Sequence, residues 1–475
     1  MTRLFKPRPY QEEATKFILR NPRANLHIEP GLGKTAIVLN AIDAMIAAGF
    51  KGKILVLGPL RVARSVWIEE KNKWGHLSYL RIVSVTGTRE ERLAALQEEA
   101  DIFCCNYENL QWLVNQVGDK WPFRGIVADE STHFKSHRSS FVTNEHGTCF
   151  LRCTGGARAK SIARLAFTKT LYFWNLSGTP VSNGLADLWG CQFFIDKGEA
   201  LGRSYTAFEN RWYRRGNSRF DRYSLTLFDH SEKEIREAIA PTTFTLRAKD
   251  YLDLGEEITN TIFVDLPPAA RKLYNEMEKE LYIEIKAGSV EVFTLADRSN
   301  KLHQMCNGAI IYERKGAFEK LHDAKIEALK SVIEEAAGMP VIVVYQFRAD
   351  LERLEEAFPK GRKFDTKKKT EDDFKKGLIP ILFLHPASAA YGIDGFQYVT
   401  NIIAFFSVDW NLGQRQQTIA RIGAVRQFQA GFKRPVFVHQ IICRSSVDED
   451  ILERIQTKKT VAEVLSDGLA RRNLT

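Results

Sequence analysis

The segment Glu29-Pro30-Gly31-Leu32-Gly33-Lys34-Thr35 follows a short strand-like run, Asn25-Leu26-His27-Ile28, and precedes a helix-like stretch over residues 36–48. Strand, glycine-rich loop and helix in that order form the context of a phosphate-binding loop, and no other feature constrains the chain as much. Gly31 and Gly33 would let backbone N–H groups turn toward phosphates, and Lys34 would reach the β and γ oxygens. Thr35, at a helix N-terminus, would hold Mg2+. The first glycine of the full pattern is replaced by Ile28, so the match rests on Gly33-Lys34-Thr35.

A loop of this kind needs parallel strands beside it, and the sequence offers them. Lys53-Ile54-Leu55-Val56-Leu57 and Gly125-Ile126-Val127-Ala128 are short apolar runs of the kind that become buried parallel strands. Amphipathic stretches such as residues 89–99 alternate with them, which points to a doubly wound α/β domain. The alternation returns with strand-like runs at 341–345, 379–383 and 401–406 and helix-like stretches at 349–358 and 413–421. The chain therefore reads as two tandem doubly wound parallel-sheet lobes. The first covers residues 1–245, a linker covers 246–256, and the second covers 257–475. Leu266-Pro267-Pro268 precedes residues 269–286, whose apolar spacing is helical, so the second lobe opens with a helical connection. Residues 134–170, richer in Ser, Thr, Gly, His and Arg, read as a surface excursion of the first lobe.

A length of 475 residues suits two or three domains, each with its own core. Apolar residues at 44 % and charged residues at 27 % are globular proportions and argue against a disordered chain. The amino terminus has no apolar run behind its basic residues, and no stretch of about 18 or more apolar residues is present. The expectation is a cytoplasmic protein without a membrane partner. Seven cysteines in so long a chain suggest reduced core thiols. A formal net charge of +10 suits a polyanion.

Asp129-Glu130 end an apolar run about one hundred residues after the glycine-rich loop. A P-loop enzyme needs one carboxylate there for Mg2+, Asp129, and another, Glu130, to orient the attacking water.

Further strings carry a resemblance. Arg8-Pro9-Tyr10-Gln11 opens the chain, and Asp129-Glu130-Ser131-Thr132 is followed by Phe134-Lys135. Leu176-Ser177-Gly178-Thr179-Pro180 precedes Asn183 and Asp187-Leu188-Trp189. Asp409-Trp410-Asn411 is followed by Gln417 and Arg421, and Val447-Asp448-Glu449 by Lys458-Lys459. In chain order from residue 8 to about 465, these strings make the sequence similar to superfamily two helicases. Within them it resembles SWI/SNF-like translocases in the compact form that bacteriophages encode. The resemblance implies two RecA-like lobes that hydrolyse ATP between them, with ATP and Mg2+ as cofactors and duplex or branched DNA as partner. Other replication or recombination proteins are further candidate partners.

It also implies roles. Arg8, Tyr10 and Gln11 would read adenine, and Lys34, Asp129 and Glu130 would act in catalysis. Ser177, Thr179 and Gln417 would couple hydrolysis to nucleic acid. Gly392 and Asp394 stand in the glycine-rich motif of the second lobe, although the family has Ala-Gly-x-Gly-Ile-Asn-Leu where this chain reads Ala389-Ala390-Tyr391-Gly392-Ile393-Asp394-Gly395. Two arginine fingers are expected. Arg421 keeps the family's spacing, but Ala424 occupies the second position, so Arg426 is its substitute. Nucleic acid would be touched near Arg61, Thr86, Asn106, Tyr107, Lys135, Phe347 and Ser388.

Two weaker constellations remain. Residues 211–223 interleave Arg211, Arg214, Arg215, Arg219 and Arg222 with aromatic rings, which suits phosphates and stacked bases as well as it suits a solvated helix face. His133 and His137 are four apart, as are Cys149 and Cys153, a spacing open to zinc or to plain packing. An RNA-directed ATPase and an ATP-holding clamp with negligible hydrolysis are the rival readings.

Overall fold

The computed structural model describes residues 4–143, 149–152, 154–178, 180–181, 184–215, 225–287, 292–311, 317–389 and 393–457. The chain divides into two compact units, Met1–Leu252 and Asp253–Thr475.

The first unit is built on seven strands: β1 (Arg23–Ile28), β2 (Lys53–Gly58), β3 (Ile82–Val85), β4 (Ile102–Asn106), β5 (Phe123–Asp129), β6 (Tyr172–Ser177) and β7 (Thr243–Leu246). All neighbours pair in parallel, in the order β7-β1-β6-β5-β2-β4-β3. Strands such as β4, buried at every residue, are apolar on both faces because helices cover both faces of the sheet. The helix Lys34–Ala47 is likewise apolar round most of its circumference, burying Ile37, Val38, Leu39 and Ile42.

The second unit has six strands: β8 (Glu257–Val264), β9 (Val341–Val344), β10 (Gly361–Lys363), β11 (Ile381–Leu384), β12 (Ile402–Phe405) and β13 (Val436–Cys443). They too are all parallel, ordered β8-β13-β12-β9-β11-β10. Each unit is thus a RecA-like parallel sheet with crossover helices. The connection ahead of β9 is helical, Pro268–Ala287 and Val292–Asn307. Proline at its start is tolerated because the first turn of a helix needs no donor there.

One expectation fails. Residues 134–170 are not a surface excursion throughout, since the helix Ala157–Thr168 belongs to the core. Ala159, Ile162, Ala163 and Ala166 fall at i, i+3, i+4 and i+7 and are fully buried against Leu113, Phe134 and Phe173. The polar and basic residues between them occupy the other face, so average composition hid a regular apolar stripe. Ser140–Thr143 and Cys149–Arg152 pair as an antiparallel hairpin ahead of this helix.

The second unit also buries an unusual amount of charge. Lys325 Nζ lies 2.6 Å from Asp448 Oδ2, and neither side chain has any exposure. Asn307 accepts from Lys325 at 2.9 Å and donates to Asp350 at 3.0 Å and to Ser407 at 2.8 Å. Cys306, Cys443 and Asp448 bring possible metal-ligand atoms within 4.8 Å of one another, the one such group among the described residues. The ammonium of Lys325 already neutralises the carboxylate at that place, as a buried charge requires.

Candidate functional site

The glycine-rich loop bends because Gly31 and Gly33 are left-handed, with φ of 89° and 84°. That conformation is open to glycine at no steric cost. Lys34 is the first residue of the helix that follows, Thr35 the second. Lys34 Nζ donates to the Ile28 carbonyl at 2.7 Å. Gln11 lies against the loop, its Nε2 donating to Leu32 O at 3.3 Å while its Oε1 accepts from Arg8 N at 2.9 Å. A Cβ on Gly33 would stand 2.5 Å from Gln11 Nε2, so the glutamine occupies the space that glycine vacates. Tyr10 is buried, its ring edge-on to Tyr251 at 5.6 Å.

Strand order then brings the other motifs alongside. β1 carries the loop, β6 ends at Ser177, β5 ends at Asp129, and these are three consecutive neighbours. In parallel sheets ligands collect outside the carboxyl ends of the strands. Ser177 is buried beside His27. A Cβ on Gly178 would lie 2.9 Å from Pro30 Cδ and 3.4 Å from Lys34 Nζ, so the coupling segment touches the loop itself. Thr179 lies outside the described residues.

Asp129 is buried, and its pKa is raised to about 6 by that burial and by the charge of Glu130, against the opposing pull of Lys34. Trp67 Nε1 donates to Asp129 Oδ2 at 3.1 Å. Glu130 adopts a left-handed backbone, φ 58° and ψ 55°, as the chain leaves β5 for the short helix Ser131–Phe134. Its Oε2 is buried without a hydrogen-bond partner among the described residues.

In the second unit, Gln417 lies half-buried on the helix Leu412–Ile419, which Asn411 caps by accepting from Gln414 N at 3.1 Å. Arg421 follows that helix, and Arg426 sits in the short helix Ala424–Gln429. Arg421 Nη1 donates to Ile393 O at 3.4 Å, and Arg426 is paired with Asp394. Both arginines therefore reach one two-residue segment, despite their irregular spacing. Gly392 lies outside the described residues.

The residues expected to touch nucleic acid divide. Arg61 is half-buried ahead of a π-helical turn, Val62–Val66, and Lys135 is half-buried with Asp187 at 3.5 Å. Phe347, half-buried, meets His303 edge-on at 5.1 Å. His385, just ahead of the short helix Pro386–Ala389 that carries Ser388, contacts Gln346 O beside Phe347 at 3.2 Å. Thr86, Asn106 and Tyr107, by contrast, are buried. Tyr107 turns inward because its hydroxyl donates to Asp129 O at 2.8 Å. Asn106 is held between Glu108 and Asn109, and Thr86 faces Ser84 at 2.9 Å.

The weaker constellations fare differently again. Arg214 is exposed, but Trp212 and Tyr213 are core residues, and Trp212 Nε1 donates to Glu234 at 3.1 Å. The aromatic members of 211–213 are therefore committed to packing. The side chain of Arg215, and all of Arg219 and Arg222, lie outside the described residues. His133 and His137 do not face a common ligand point. His133 Nδ1 contacts Arg158 at 2.8 Å, whereas His137 is enclosed by Trp189, Phe193 and Phe194. The Cys149 side chain and Cys153 lie outside the described residues. Cys104, Cys105, Cys191, Cys306 and Cys443 are free and buried.

A family model described as the SNF2-related domain matches residues 10–311, more than half of the chain. This chain belongs to the SNF2-related family. It is 42 % identical over 474 residues to protein p41 of Acyrthosiphon pisum secondary endosymbiont phage 1, covering 98 % of this chain and 99 % of that one. An ATP-dependent helicase of Mycoplasma pneumoniae is 24 % identical across 95 % of this chain, which spans 41 % of that protein's length. A RAD54-like DNA repair and recombination protein of Drosophila erecta is 21 % identical, with 97 % and 63 % covered. Among solved structures, the Sulfolobus solfataricus SWI2/SNF2 ATPase core in complex with dsDNA aligns at 20 % identity and a TM-score of 0.43, covering 100 % of this chain and 97 % of that one. No helix among the described residues of this SNF2-related chain is long and apolar enough to cross a membrane.

Sequence reasoning misses Trp67 as a partner of Asp129, places Tyr107 on nucleic acid rather than on the Asp129 carbonyl, and passes over one buried cation of the second unit, Arg415. The last is buried over the Phe405 ring at 4.1 Å and bonded to Gln440 at 2.7 Å. No motif spacing marks them, because each is defined by a partner distant in sequence.

Proposed function

We propose that this SNF2-related chain is a DNA-dependent ATPase that moves along or remodels duplex or branched DNA. The carrying observation is the meeting of Gly31–Thr35, Ser177-Gly178 and Asp129-Glu130 at the carboxyl ends of three adjacent parallel strands. The residues fit a nucleoside triphosphate: left-handed glycines clear a backbone cradle, Lys34 stands at a helix N-terminus, and Glu130 keeps a buried oxygen without a hydrogen-bond partner among the described residues.

Thr35 and Asp129 are the residues that would hold Mg2+, which supplies charge to the phosphates when bound. Lys34 binds the β and γ oxygens, Gln11 selects adenine, and Glu130 orients the attacking water. Arg421 and Arg426 act on the charge that builds at the γ-phosphate. Ser177, Thr179 and Gln417 transmit the state of the nucleotide to Arg61, Lys135, Phe347, Ser388 and Arg214 on DNA. The RAD54-like DNA repair and recombination relative supports recombination as the setting, with replication or recombination proteins as further candidate partners.

The test compares ATP hydrolysis with single-stranded DNA, duplex, forked DNA and RNA, followed by strand displacement on the strongest activator. Hydrolysis should rise several-fold with DNA, because nucleic acid completes the positioning on which rate depends. In Lys34→Ala and Glu130→Gln it should fall at least about a hundredfold, to a residual rate measurable in single turnover. Equal stimulation by RNA, or parental turnover in either variant, would overturn the reading.

A further inference from the structure

Glu130 is one of five described non-glycine residues with positive φ, and the only one of them in the proposed nucleotide site. A left-handed L-residue is strained and persists only where its surroundings fix it. What fixes this one is the peptide before it. Asp129 O and Glu130 N share one peptide plane, so a bond to that oxygen restrains the plane from which the Glu130 side chain leaves the backbone. The oxygen accepts from Tyr107 Oη at 2.8 Å, with Glu130 O a further 3.5 Å neighbour.

Tyr107 is itself held on every side. Its ring stacks on His133 at 4.4 Å and meets Phe134 edge-on at 5.4 Å. His133 is neutral at pH 7, its pKa lowered to about 4 by burial and by Arg158. Arg158 contacts His133 Nδ1 at 2.8 Å and pairs with Glu108 at 2.8 Å, and Glu108 accepts from Asn106 at 2.9 Å. These contacts hold the ring, so the hydroxyl oxygen stays beside the Asp129–Glu130 backbone, nearest to Asp129 O.

We infer that Tyr107 is a positioning residue for the hydrolytic step: its hydroxyl holds the Asp129–Glu130 peptide so that the Glu130 carboxylate is aimed for the attacking water. The inference rests on the ATPase reading of the site. Tyr107 touches neither nucleotide nor nucleic acid in this role, and it acts through the Asp129–Glu130 peptide. Its removal should therefore slow turnover without weakening nucleotide binding.

The experiment uses the full chain with its best DNA activator. Tyr107→Phe keeps the ring and its stack and removes one hydroxyl. Its kcat should fall about tenfold, while KM for ATP and the affinity for a fluorescent non-hydrolysable ATP analogue stay within about twofold. Single-turnover rates of Glu130→Gln and of the double variant complete the cycle. If Tyr107 acts through Glu130, the second change adds nothing to the first. Parental kcat in Tyr107→Phe, with or without a lower melting temperature, would make the residue merely structural. A full tenfold loss on top of Glu130→Gln would also overturn the inference. A parent chain that hydrolyses no ATP with any nucleic acid would overturn the ATPase reading, and this inference with it.

Discussion

The indole N–H of Trp67 donates to Asp129 Oδ2 across 3.1 Å, with both side chains buried. The bond fixes the rotation of a carboxylate at the end of β5, where the remaining oxygen is proposed to meet Mg2+. Partners of this second rank typically change metal affinity by roughly 10–100-fold when lost. Trp67→Phe should therefore raise the Mg2+ concentration for half-maximal hydrolysis about tenfold, as read in a Mg2+ titration of the ATPase. An unchanged titration would mean that the indole only fills space.

Gly33 and Gln11 make a second close pair. Alanine at position 33 meets a φ of 84° and places its Cβ 2.5 Å from Gln11 Nε2, so both backbone and neighbour must move. Gly33→Ala should weaken ATP-analogue binding more than about tenfold, the cost of roughly 1.4 kcal/mol or more at the loop. Gly49→Ala is the control. Its φ is 92° but nothing lies within 4 Å, so strain alone should lower stability and leave binding unchanged. Equal loss of binding in both variants would refute the local argument.

How far the sequence could be read depended on the distance over which each feature is defined. Gly33-Lys34-Thr35 and the apolar runs of β2 and β5 are local patterns, so Lys34 at the start of a helix and Asp129 at the end of a strand are legible. Its sequence context points Tyr107 to nucleic acid, whereas its inward turn depends on Asp129, 22 residues away. Trp67 was not singled out, since its partner is 62 residues away. The helix Ala157–Thr168 was hidden for another reason. Its buried face is mostly alanine, which contributes little to any hydrophobic average although it permits close packing on Phe134 and Phe173.

The His133–His137 spacing is open to a metal, but the surroundings of His137 predict something else. Both ring nitrogens are buried without hydrogen-bond partners among the described residues, and Phe193 and Phe194 lie 4.8 and 4.7 Å away. Burial, with the nearby charge of Arg138, lowers its pKa to about 3. An unfolded histidine takes up a proton near pH 6.5, and this one resists until about pH 3. The unfolded state thus binds more protons across that window, so stability falls as pH drops through it, by about 1.4 kcal/mol per pH unit below 6.5. His137→Phe removes this liability. The fall in melting temperature between pH 7.5 and pH 5 should shrink by several degrees, and Zn2+ should not change it. An undiminished acid sensitivity would show that the ring is solvated in the folded chain.

The last prediction concerns the two arginines that reach Ile393-Asp394. Arg421 donates to the Ile393 carbonyl and Arg426 pairs with the Asp394 carboxylate, so one segment restrains both guanidinium groups. A charge acting on the γ-phosphate matters chiefly in the transition state, so its loss should damage turnover more than nucleotide affinity. Arg421→Ala should lower kcat about a hundredfold or more, within the range known for such fingers, while analogue binding changes little. Arg426→Ala should show the same split. Asp394→Asn decides what Arg426 does, because it weakens the ion pair and leaves the guanidinium in place. If Arg426 serves the phosphate, Arg426→Ala should be far worse than Asp394→Asn. If it serves only to clamp the Asp394 loop, the two variants should lose the same small fraction of turnover, and Arg421 would then be the sole finger.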